Sequence, residues 1–296
     1  MIKDCTYDGV HLSLLNHRGS VEHYYHFMMG FILPLVQVWP DVVARAAGRQ
    51  IYIRSCAVMD PLLHELQLEG VSILPPVTHK LLETNAEEFR KAGHRLEYKS
   101  ALGFDKPAAY DAQVFFTTRA QVFDRLREEI SSAKIAMEAL FGAGGPRVLI
   151  IDRLPPNPFY NSEGSEVKGS GAERRSVENM DDMVDVANRY CAAVALISLE
   201  GRSLASQIAL FSMADIVVAQ HGAALANLLW ADEGTNVIEI LPDLRHLPDS
   251  DIPLYFLKLC DAMRLNHHLL KQPHSHSSVD LGDFAAILDS LLCKTR

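Results

Sequence analysis

The 296-residue chain predicts an α/β protein of two Rossmann-like, doubly wound units, each a parallel sheet with helices on both faces. Three observations predict it. Short β-branched runs recur along the chain, helical stretches alternate with them, and a glycine-rich break, Gly142-Ala143-Gly144-Gly145-Pro146, separates a less regular first half from a cleaner second half. The expected units are 1–145 and 146–255, followed by a helical tail, 256–296, packing back toward the N-terminal unit.

In the first unit the runs Ile51–Arg54, Val71–Leu74 and Val114–Thr118 read as strands, with helices over Phe27–Val43, Asp60–Leu68 and Gln121–Leu140. In the second, Val148–Ile151, Ala193–Ser198, Ile216–Ala219 and Val237–Ile240 read as strands. Between them lie helices at Asp181–Tyr190, from a Ser203 cap to Met213, and at Ala223–Trp230. This alternation implies right-handed crossovers and a parallel sheet. Val279–Leu292 is amphipathic and must pack on something.

Composition narrows the function classes. With 48% hydrophobic and 22% charged residues the chain can bury two cores. No apolar run approaches the roughly 20 residues of a membrane span, so no integral membrane segment is expected. The N-terminus lacks the apolar core of a secretory signal. Five cysteines (5, 56, 191, 260 and 293) contain no CxxC pair and read as reduced thiols of a cytoplasmic protein. The formal net charge of −9 argues against a nucleic-acid partner while leaving room for a local arginine cluster. His267-His268 and His274-Ser275-His276 lack companion ligands at metal spacing, and no GxGxxG precedes a helix, so neither a metal nor a bound cofactor is expected.

The stretch VVAQHGAALANLLW (217–230) carries the strongest functional signal. In an open parallel sheet, ligands sit beyond the carboxyl ends of the strands, where His221 and Gly222 fall. The helix that follows offers unpaired N–H groups and its positive dipole end to phosphate oxygens. Gly222, Ala223 and Ala224 hold no bulk that would keep a ligand off those groups, and His221 adds a hydrogen bond. The same residues also suit a capped loop before a packed helix. Glu239, inside the strand Val237–Ile240, needs partners if buried. A sugar diol is one possibility and water beside an edge strand is the other.

These residues resemble glycosyltransferase family 61. Its signature block is similar to residues 198–242, with its ordered features falling on Glu200, Gln207, His221-Gly222-Ala223, Leu225, Asn227 and Glu239. A second similarity covers Ile151–Asn179: an arginine after a strand (Arg153), an arginine pair (Arg174-Arg175) and an asparagine before a helix (Asn179). Here Met180 replaces the usual acidic residue, and the loop 154–172 is long. A third lies in HYYHFMMGFILPLV (23–36), where His26 and Pro34-Leu35 fit but Gly30 occupies an acidic position.

The resemblance implies a GT-B architecture and a metal-independent, inverting hexosyl or pentosyl transfer from a nucleotide sugar, commonly a UDP-sugar. The acceptor would be a glycan or protein hydroxyl, in polysaccharide assembly for a chain of this kind, and a homodimer is compatible with it. Arg153, one of Arg174 and Arg175, Asn179, His221, the 222–224 backbone and Asn227 are expected on the donor nucleotide, and Glu239 on its ribose. Glu200 and Gln207 support them. A base from the acceptor side is expected at His26, with His23 and Glu22 within one turn; His26 in this aromatic stretch also suits a core histidine. Gly30 favours the alternative, a catalytically impaired nucleotide-sugar-binding protein of the same fold.

Overall fold

The computed structural model describes residues 9–15, 19–99, 111–141, 144–167, 169–190, 193–243 and 255–292. Gly142, Ala143 and three of the cysteines (5, 191 and 293) lie outside them; Cys56 and Cys260 are buried and free.

The first half holds strands β1 (Gly9–Leu14), β2 (Gln50–Arg54), β3 (Val71–Leu74) and β4 (Arg95–Tyr98), in the order β3-β2-β1-β4, all parallel. Its helices are α1 (Tyr24–Ala46), α2 (Asp60–Glu65), α3 (Pro76–Thr84), α4 (Ala86–Lys91), α5 (Ala112–Arg125) and α6 (Arg127–Phe141). The second half holds β5 (Arg147–Asp152), α7 (Gly171–Arg174), β6 (Ser176–Val177), α8 (Met180–Arg189), β7 (Ala193–Ser198), α9 (Leu204–Met213) and β8 (Ile216–Gln220). A 3-10 helix (Ala223–Trp230), β9 (Asn236–Pro242), α10 (Tyr255–Met263), β10 (Asn266–Gln272), β11 (His276–Ser277) and α11 (Leu281–Leu292) complete it. Its five-stranded sheet runs β10-β9-β8-β5-β7, again all parallel.

That order makes the gap between β5 and β8 the switch point: the chain leaves β5 toward β7 on one side and returns to β8 on the other. Alternate residues of β5 serve opposite faces. Leu149 and Ile151 join a core shared with the first half, whereas Val148 and Ile150 join a second core beneath α8 and α11. Every residue of β8 is buried, as a central strand covered on both faces demands.

The structure corrects four expectations. Val114–Thr118 is helical, within α5: Asp111 caps it by accepting from the Val114 N–H at 3.2 Å, and Phe115, Thr118 and Val122 then fall on one buried face. The helix expected at Ala223–Trp230 is a 3-10 helix. The segment 256–296 is no helical tail: β10 pairs with β9 in the second sheet, and α11 packs on α8 and β10, its Phe284 and Leu288 in the second core. Finally, α1 is 23 residues long and apolar enough by composition to cross a membrane, although no single uninterrupted apolar run announces it. It packs here against β1, α5 and the 3-10 helix, with most of its apolar side chains buried. Its Met28–Ile32 turn is π-helical, an insertion frequent at functional sites.

Candidate active site

A cavity of about 890 Å³ opens over the carboxyl ends of β5, β7 and β8, within the usual range for ligand pockets. The second half supplies Arg153 after β5, Glu200–Ser203 after β7 and His221–Ala224 after β8. The first half supplies His23–His26 from the start of α1 and Glu65 from α2. Tyr255 and Phe256 of α10 close one side, and the Phe256 ring meets His221 edge-on at 5.1 Å.

One wall is cationic. Arg153 Nη2 donates to His221 O at 3.0 Å and Arg175 Nη1 donates to the same carbonyl at 2.8 Å. Arg174 lines the cavity with an exposed side chain. Both members of the arginine pair therefore reach the hollow, against the expectation of one: α7 ends at Arg174, and Arg175 turns extended (φ −159°, ψ 142°), so the two side chains leave from different backbone conformations. Among the described residues, none of the three guanidiniums forms an ion pair. Burial, then Arg175 and Arg174, depress the Arg153 pKa to about 10, with Glu200 opposing.

Gly222 makes this approach possible. A Cβ there would overlap the Arg153 guanidinium, whereas the backbone itself (φ 162°) is extended and unstrained. Leu225 N–H donates to Gly222 O at 3.0 Å, closing the first 3-10 turn and leaving the N–H groups of 222–224 ahead of the ladder, beside the arginines. Gly222→Ala is expected to displace the Arg153 guanidinium from the His221 carbonyl with the fold retained, as read from a crystal structure of the variant.

Glu239 does not reach the cavity, which corrects its expected ribose role. It is fully buried in β9, itself flanked by β8 and β10 and so not an edge strand. Its Oε1 accepts from His221 Nδ1, and its Oε2 accepts from His267 Nε2 at 2.7 Å. Burial alone would raise this carboxyl; the two imidazoles outweigh it and hold it below its ordinary value. Glu239 thereby fixes the His221 ring and leaves Nε2 as the nitrogen available to the hollow.

Three more expected residues turn inward. Asn227 is fully buried: its Oδ1 accepts from Trp230 Nε1 at 3.1 Å, and its Nδ2 donates to Gln207 Oε1 at 3.1 Å. The Tyr24 hydroxyl lies 2.8 Å from Gln207 Oε1 and 2.7 Å from Asn227 Oδ1, so this polar knot ties α1 to α9 and the 3-10 helix. Gln207 also borders the cavity, in keeping with a supporting part. Asn179 grips the chain before α11, donating to Val279 O at 3.0 Å and accepting from Val279 N at 2.9 Å. Asn179→Ala is expected to cost about 1–3 kcal/mol of stability, read by denaturant titration.

On the acceptor side, Glu22 is corrected as a base. Its Oε2 accepts from Glu166 N at 2.7 Å and Ser165 Oγ at 3.2 Å, and its backbone carbonyl accepts from Tyr160 OH, so it anchors the loop over the cavity without lining it. His23 and His26 both line the cavity, their rings 5.1 Å apart and edge-on. Gly19, at φ +72°, backs the His26 ring where any side chain would collide. Gly30 is buried in the π turn, away from the cavity lining.

Glu65 escaped sequence reasoning. It lines the cavity, accepts from Ala205 N at the start of α9 at 3.3 Å, and burial raises its pKa. Neither its spacing nor its neighbours in the chain marked it. Elsewhere, His11, His79 and Glu83 gather at metal-ligand spacing, but Arg95 occupies the group, donating twice to Glu83 and approaching His11 Nδ1 at 3.2 Å.

No curated protein matches the chain at a significant level. The family model described as Glycosyltransferase 61 matches residues 24–238, from the start of α1 into β9, and so takes in His26, the arginine wall and the His221–Ala224 turn, while His23 and Glu239 each lie one residue outside it. Matched over more than two thirds of its length, the chain belongs to glycosyltransferase family 61 and is a glycosyltransferase.

Proposed function

We propose that this enzyme moves a sugar, with inversion and without a metal, from a UDP-sugar to a hydroxyl on a glycan or polysaccharide, its two halves facing each other in the GT-B manner. The observation that supports it most is the convergence of three guanidiniums, His221 and the 222–224 turn on one hollow at the switch point of the second sheet. An inverting transfer is a direct displacement, so negative charge grows on the departing diphosphate. Fixed donors that need no reorganisation stabilise it most. Arginine forks match phosphate oxygens, and the 3-10 helix start adds N–H groups beside them.

The base comes from α1 in this reading. His26 faces the hollow from the first half, opposite the arginines' sheet, and an imidazole accepts a proton effectively near neutrality. Because Gly30 is buried away from the lining, the lack of a carboxylate there takes no group out of the cavity. The ribose, no longer assigned to Glu239, falls to Glu200, an exposed carboxylate of the lining.

A melting panel with UDP-, GDP-, CMP- and TDP-sugars, followed by UDP release with an acceptor panel, tests the reading. UDP-sugars are expected to raise the melting midpoint and release UDP only when acceptor is added. A shift by CMP-sugars alone would overturn the donor, and binding without turnover across the panel would favour a non-catalytic binding protein.

A further inference from the structure

We infer that His23 is a donor-side residue: it hydrogen-bonds the departing diphosphate and takes up a proton when the nucleotide binds, leaving His26 to act as the base. The inference rests on the nucleotide-sugar reading above and divides between two neighbouring imidazoles what the sequence could only group together.

Geometry carries it. His23 stands at the first turn of α1 and lines the cavity, yet its Nδ1 is buried with no hydrogen-bond partner among the described residues. A buried ring nitrogen ordinarily has a partner, so this one is placed for a group that arrives with the ligand. The charged and titratable groups acting on it are His26 from its own helix, Arg153 after β5, and Arg174 and Arg175 from α7 and its end; no carboxylate is among them. The His23 ring therefore lines the same cavity as the arginines and feels their charge, so a diphosphate held by them would act on it directly.

The same surroundings set its protonation. In the ligand-free enzyme, burial first and then His26 and the three guanidiniums hold the His23 pKa down at about 4, so the ring is neutral. A diphosphate brings two negative charges into that cluster and offsets most of the guanidiniums' repulsion. An opposite charge at contact distance favours the charged form by about one to three pKa units, which puts bound His23 at about 5–7. His26, 5.1 Å away and edge-on, is the imidazole left to take the acceptor's proton.

The displacement balances on these roles. The acceptor oxygen forms its bond to the anomeric carbon as the bond from that carbon to the phosphate oxygen breaks, and the electron pair leaves on the diphosphate. The acceptor's proton goes to His26. His23 keeps its proton and holds the departing oxygen.

The test is an NMR titration of the full-length enzyme carrying 13C-labelled histidine rings, free and saturated with UDP or uridine, between pH 4 and 8. The His23 signal is assigned by its loss in His23→Gln or, if that variant does not fold, by its displacement in His26→Gln. UDP is expected to raise the His23 midpoint from about 4 by about one to three units, and uridine to leave it in place. His23→Gln is expected to lower kcat about 100-fold while KM for the donor changes less than about threefold. A His23 midpoint that stays near 4 while UDP perturbs other signals would overturn the inference and leave the transferase reading intact. If UDP perturbs no histidine and gives no melting shift, the UDP-sugar reading itself fails, and the inference with it.

Discussion

Arg153→Met is expected to raise the melting midpoint of the ligand-free enzyme and to remove most of the stabilisation expected from UDP-sugars. Both effects have one cause. Arg153 sits half-buried beside Arg174 and Arg175, and among the described residues it forms no ion pair. Its pKa is depressed to about 10, so the charged form is less favourable in the folded protein than in the unfolded chain, and that penalty is present at every pH below about 10. After allowance for solvent screening of a half-buried group, methionine recovers about 1–2 kcal/mol, a few degrees in melting midpoint. The same change deletes a guanidinium from the proposed phosphate seat. Hydrogen bonds to charged groups contribute about 1.5–3 kcal/mol each, which corresponds to a loss of affinity of about 100-fold. Scanning calorimetry with and without UDP-sugar reads both terms. A variant that lost stability and kept its ligand shift would show Arg153 to be structural.

Glu239→Ala is expected to have the largest effect on stability. The carboxylate is wholly enclosed between β8 and β10 and receives a hydrogen bond from each of two imidazoles. Removing one member of a buried charged group leaves its partners unsatisfied and costs about 3–5 kcal/mol, a large share of the 5–15 kcal/mol that holds an ordinary domain. The His221 ring loses its orientation at the same time. Glu239→Gln keeps the shape and one acceptor, so it is expected to fold and to bind UDP about tenfold more weakly. The pH dependence follows from the sign of the shift. A carboxyl held below its ordinary value in the folded state contributes stability that is complete above that value and is lost as pH falls through and below it. Acid unfolding of the wild type is expected to steepen there relative to Glu239→Gln, as read by circular dichroism against pH.

Sequence reasoning succeeded where neighbours in the chain settle the outcome. Four of the five strands of the second sheet, the Ser203 cap and the glycine after β8 are local, and the cap is made as read, with Ser203 Oγ accepting from Ser206 N at 3.1 Å. It failed where partners come from far along the chain. Glu239 plainly needed company in a buried strand, but His267 lies 28 residues on and reaches it only because β10 pairs in register with β9. Asn179 is claimed by Val279, 100 residues away, and Glu22 by the backbone of Glu166, 144 away. Val114–Thr118 shows the other failure: β-branched composition suggested a strand, and a cap at Asp111 together with a buried face at Phe115, Thr118 and Val122 made a helix. The strand β10, with its His267-His268 pair, carried no apolar alternation to announce it.

The central claim is that this hollow holds a diphosphate by its arginines and the turn after β8. Dissociation constants of UDP and of uridine, measured by calorimetry on wild type and Arg153→Met, test it most directly. The account predicts that wild type binds UDP at least 100-fold more tightly than uridine, and that Arg153→Met removes most of the difference while leaving uridine affinity unchanged. Equal affinities for the two ligands in wild type, or an undiminished preference for UDP in the variant, would contradict it.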